Sequence, residues 1–113
     1  MWSSWSEAAL RKAAEHSTLA INPIIFAEVS MKFARIEDAD AALVDFAREP
    51  LPYEAGFLSG KAFLAYEKRG GSKRSRMPDF YVGAHAVVGR MDLLTRDAAR
   101  YRTYFPALTI IAP

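Results

Sequence analysis

The sequence predicts an α/β fold with a mostly parallel sheet flanked by helices. Three observations carry that prediction. Short apolar runs such as TLAIN at 18–22 and ALTIIA near the C-terminus alternate with longer stretches of helical periodicity. The connections are short, and strands separated by helices pair in parallel with both faces covered. The 113 residues are 51% apolar and 25% charged, as in one ordinary globular domain spanning 1–113.

Each element has a local reason. Residues 3–16 read as a helix that Ser3 or Ser4 can cap, with Trp5, Ala9 and Ala13 among the residues of an apolar stripe. The run at 18–22 is short and apolar with β-branched residues, hence a buried strand. Asn22-Pro23 starts a second helix carrying IIFAEVSMKFA, with Pro23 in its first turn. Residues 36–48 form a third helix, broken by Pro50 and Pro52, with a very short strand expected around Leu51. A fourth helix spans about 54–69 and stops at Gly70-Gly71. The polar, basic segment GSKRSRM is a loop. A fifth helix covers 78–90, a strand 92–95, a short helix 98–104, and the terminal run closes the sheet.

Composition narrows the function. Without cysteine, disulfides and thiolate metal sites are excluded, and the reducing cytoplasm is the expected compartment. The opening MWSSWSEAALRK lacks the apolar core of a signal peptide, and no later segment reaches the length of a membrane span. A net charge of +2 does not imply a polyanion partner. Its distribution says more: Lys61, Lys68, Arg69, Lys73, Arg74 and Arg76 face the single acid Glu67 between 61 and 76.

Three acids stand out. Asp79 sits where a helix begins and Asp97 just past a strand, so both fall on the sheet edge where α/β proteins bind ligands. Carboxylates gathered there repel each other unless a cation or proton lies between them. Glu28 lies within the apolar helical run Ile24–Val29 and leaves the same edge. Each has a plain alternative. Glu28 can face solvent, Asp79 can serve the helix start, and Asp97 can cap the helix that follows. His85, six residues after Asp79, points to another face and reads as packing. Tyr53, Phe57, Phe63, Tyr66, Phe80 and Tyr81 read as core or subunit interface.

The segments INPIIFAEVS, MPDFYVGAHA, LLTRDAARYRTYFP and the terminal TIIAP together resemble the PIN-domain family, most closely its VapC-type toxins from bacterial toxin–antitoxin pairs. The resemblance covers essentially the whole chain, with the motifs in the family's order and spacing. It implies a PIN-like three-layer sandwich and a Mg²⁺- or Mn²⁺-dependent endoribonuclease. It places metal ligands at Glu28, Asp79 and Asp97, with Thr95 as the neighbouring hydroxyl. It also implies a homodimer inhibited by a cognate antitoxin protein. The basic residues Lys73, Arg74 and Arg76 stand close before Asp79, where they can hold RNA phosphates. Arg96 is a further candidate for the backbone; such contacts give affinity with little sequence information. A solvated flexible loop is the plain alternative for that basic segment.

One departure from the family is large. The family opens with a hydrophobic strand ending in an aspartate that binds metal, whereas the first aspartate here is Asp38. The first, central strand is therefore expected to be missing, with one ligand of four. Its place would be between the strands at 18–22 and 92–95, and its loss would leave a gap or force those two together. A start site assigned downstream, or a truncated gene, would account for it. The alternative function is then a catalytically impaired remnant that only binds RNA or antitoxin. A phosphoryl-accepting receiver pocket is disfavoured, because it needs an acid on the first strand and a lysine near the end.

Overall fold

Helix starts and stops follow the residue types placed there. The computed structural model describes residues 4–71 and 76–113; Ser3, Lys73 and Arg74 lie outside the described residues. The order is α1 (Ser4–Ala14), β1 (Ala20–Ile21), α2 (Pro23–Ser30), α3 (Ile36–Ala42), β2 (Ala47–Arg48), α4 (Tyr53–Lys68), α5 (Met77–Val88), β3 (Leu93–Leu94), α6 (Ala98–Tyr104) and β4 (Ile110–Ile111). The chain divides into two units, one ending at Pro50 and one running Leu51–Pro113.

In the first unit, Asn22 caps α2. Its side-chain oxygen accepts a 2.9 Å hydrogen bond from the Ile25 N–H, and Pro23 occupies the first turn, where no N–H is needed. The helix ends at Ser30, short of the expected Ala34. Lys32 and Phe33 instead close i→i−3 turns onto Val29 and Ser30, and Phe33 packs against the core. That core is small: Ile21, Val29 and Leu43 are buried, with Ile25, Phe26, Phe33 and Phe46 against them.

β2 corrects the expected strand at Leu51. The third helix stops at Ala42, and Ala47–Arg48 pairs in parallel with β1, Ala20 opposite Ala47. The reason is a matter of donors. The N–H groups of Ala47 and Glu49 reach the carbonyls of Leu19 and Ile21, each at 2.8 Å. Pro50 and Pro52 have no N–H to offer a ladder.

The second unit is built on α4 packed against α5. Alanines at 55, 62 and 84 let the two approach closely, and Phe63, Phe80, Leu93, Tyr101 and Phe105 fill the space between α4, α5, α6 and β3. Phe80 is 1% exposed. His85 is buried in α5, as packing predicts. The helix α4 stops where Gly70 takes φ +92°, a left-handed conformation that glycine adopts without Cβ clash. β3 and β4 pair in parallel through Leu93 N–H to Thr109 O (2.9 Å) and Thr95 N–H to Ile111 O (3.0 Å).

The parallel pairing agrees with expectation, while the single central sheet does not. Among the described residues the strands form two separate two-stranded sheets, β1–β2 and β3–β4. No helix among the described residues is long and apolar enough to cross a membrane.

Candidate active site

Two of the three predicted acids meet. α5 begins at Met77-Pro78-Asp79, so Asp79 lies in the first turn, where free N–H groups and the helix dipole favour a carboxylate. The chain leaving β3 passes Thr95 and Arg96 to Asp97, the residue preceding α6. α5 runs back into β3, so its start and the strand's end share one edge of the unit.

Asp97 is not engaged as a cap. Asp97 occupies the N-cap position of α6, yet its side chain makes no capping hydrogen bond. Its N–H instead donates to the Thr95 hydroxyl oxygen at 3.0 Å, which ties the turn into the site. Both carboxylates turn to Arg100, in the first turn of α6. Its Nη1 donates to Asp79 Oδ2 at 2.7 Å, and its Nη2 lies 2.9 Å from Asp97 Oδ2. The fork of one guanidinium therefore spans both acids, with charge assistance at each end. The Arg100 side chain is only 20% exposed, and that of Asp97 is half-exposed.

Electrostatics fit a crowded acidic pair. Burial pushes the Asp79 carboxyl above its ordinary range, Arg76 opposes that shift, and the negative charge of Asp97 adds to it. Arg76 immediately precedes α5, so one member of the basic segment stands close to the acids. Arg96 is exposed in the turn before Asp97. The predicted contacts at Lys73 and Arg74 lie outside the described residues.

Glu28 sits in the first unit, on the exposed side of α2. Among the described residues no group of three or more His, Cys, Asp or Glu side chains gathers to hold a metal ion. Two carboxylates do suit a hard divalent cation, since Mg²⁺ takes few protein oxygens and keeps several waters. The donor chemistry of Asp79 and Asp97 thus fits Mg²⁺ or Mn²⁺, with Arg100 as the group now between them. Arg100 is the residue that sequence reasoning missed. The signal was available in Asp97-Ala98-Ala99-Arg100, an i,i+3 pair of opposite charge at a helix start.

The first unit also holds a cavity of about 450 Å³ lined by Ile21, Asn22, Pro23, Phe26, Arg48 and Glu49, among others. Arg48 lies over the Phe26 ring at 4.9 Å and bonds Asp40 at 2.7 Å. None of the predicted site residues lines it.

Comparison with known proteins shows one fold. The chain is similar to a chain in the crystal structure of VapBC2 from Rickettsia felis bound to a DNA fragment from their promoter, with a TM-score of 0.74. The identity is 19%, over 98% of this chain and 86% of that one, so the likeness is one of fold. No family model matches the sequence, and no curated protein matches it.

Proposed function

We propose that the chain is a VapC-type toxin: a Mg²⁺- or Mn²⁺-dependent endoribonuclease of PIN-like fold, restrained by a cognate antitoxin protein. The observation that carries this reading is the meeting of Asp79 and Asp97 on one guanidinium, at the edge where such folds bind ligands. The fold similarity to a VapBC2 chain supports the family and an antitoxin partner.

Asp79 and Asp97 would hold the cation, as the resemblance implies. When bound, the cation supplies a lowered water pKa and charge stabilisation at a phosphodiester. Arg76 and Arg96, with Lys73 and Arg74, would hold the RNA backbone by charge alone. The Thr95 hydroxyl fixes the turn that presents Asp97. A cytoplasmic home follows from the reading.

A second reading has a specific observation behind it. Arg100 already bridges the acidic pair and offsets one of its two negative charges. That bridge suits an impaired remnant that binds RNA or antitoxin without cutting. Incubating purified protein with RNA separates the two. The nuclease reading expects cleavage with Mg²⁺ or Mn²⁺ that EDTA abolishes; intact RNA under both cations would sink it in favour of the remnant.

The implied homodimer also has a surface to use. Tyr53 and Phe57 are 94% and 70% exposed one turn apart on α4, with Leu64 further along the same stripe. Lys61 lies over the Phe57 ring at 5.0 Å. Contiguous exposed apolar groups mark association sites. Phe57→Glu is expected to convert a dimer to a monomer in light scattering, and a wild-type monomer would refute the pairing.

A further inference from the structure

We infer that Arg100 is an internal counter-ion that competes with a divalent cation for the Asp79–Asp97 pair, so that cation binding requires its guanidinium to swing aside. This rests on the metal-site reading above and adds a control on it. The two oxygens that Arg100 engages, Asp79 Oδ2 and Asp97 Oδ2, belong to the two carboxylates a cation would take. A guanidinium cannot be discharged by a change of pH, so it leaves only by moving.

The geometry marks this arginine as held rather than waving in solvent. Its side chain is four-fifths buried, and its neighbour Tyr101 is in the core. Both terminal nitrogens are used at once, at 2.7 and 2.9 Å. The side of Asp97, half exposed, is the open one. The pair thus has two arrangements, closed on Arg100 or open to a cation. A ligand that binds only the open arrangement has its affinity reduced by the open fraction.

The test is a Mn²⁺ titration by calorimetry on the full chain, comparing wild type with Arg100→Ala and Arg100→Lys. Arg100→Ala is expected to bind Mn²⁺ more tightly by roughly tenfold or more, the gain that follows when the open arrangement is about a tenth or less of the wild-type protein. Arg100→Lys should fall between, because a single ammonium cannot fork across both carboxylates. Mn²⁺ should also raise the melting temperature of Arg100→Ala more than that of wild type. Should Arg100→Ala fail to fold, Arg100→Lys carries the comparison. Equal or weaker binding in the variants overturns the competition and leaves the metal site standing. Absence of binding in every protein removes the metal site, and the inference with it.

Discussion

Replacing Asp79 by asparagine is expected to abolish cation-dependent RNA cleavage while the protein stays folded. The loss should be on the order of 10³-fold or more, because the cation contributes several kcal/mol of charge stabilisation and each 1.36 kcal/mol is about a factor of ten. Asparagine is nearly isosteric and keeps one oxygen to accept the Arg100 hydrogen bond. It also removes a carboxylate that burial and Asp97 both disfavour in its charged form. The stability change should therefore be small, within a few degrees of melting temperature. Cleavage assays under Mg²⁺ and Mn²⁺, beside a thermal melt, make the comparison. An unchanged rate would remove Asp79 from the site. A collapsed melt would assign the carboxylate to folding instead.

Asp97→Asn offers a useful contrast. Its carboxylate is more exposed than that of Asp79 and has Arg100 as a partner three residues on. If both acids bind one cation, the two variants lose activity together and the double variant loses little more, since residues acting as a unit are not additive. If Asp97 only seats Arg100, its loss should be milder than that of Asp79.

Where the sequence was legible, the cause lies in residues with a single physical job. Asn22-Pro23 could only open a helix, because the amide side chain caps and the proline tolerates a missing donor. The short helix at 98–104 was readable to the residue, and the two aspartates were conspicuous because both sit at element boundaries. Failures came where the deciding factor is a partner far away in the chain. Ala47-Arg48 carries no strand signal of its own and becomes β2 only because β1 accepts its N–H groups. Leu51 looked like a strand between breakers, yet the same prolines exclude it from a ladder. Arg100 showed its i,i+3 pairing with Asp97 in the sequence but not its bridge to Asp79. Its role exists only when Asp79, 21 residues earlier, arrives beside it.

Phe80→Ala is expected to have the largest effect on stability. Phe80 meets Phe63 at 5.7 Å and Tyr104 at 5.2 Å, both edge-to-face, and Tyr66 and Phe105 at 5.3 and 6.4 Å in tilted contacts. Truncating a buried phenylalanine costs about 3–5 kcal/mol, and each well-oriented ring pair adds roughly 0.5–1.5 kcal/mol beyond area. Against a domain's total of about 5–15 kcal/mol, that is a large share of the whole. In a thermal melt the midpoint should fall on the order of 20 °C, whereas Met31→Ala at an exposed position should shift it little. Phe80→Leu is the milder variant, since it keeps a branched apolar side chain in the core and leaves a smaller cavity than alanine. Phe80 directly follows Asp79, and Tyr104 lies one turn beyond Arg100, so this ring joins the two elements that carry the acidic site. A folded Phe80→Leu protein with weakened Mn²⁺ binding would show that the aromatic cluster fixes where the carboxylates stand. Unaltered binding would mean that Arg100 and the α5 start hold them without it.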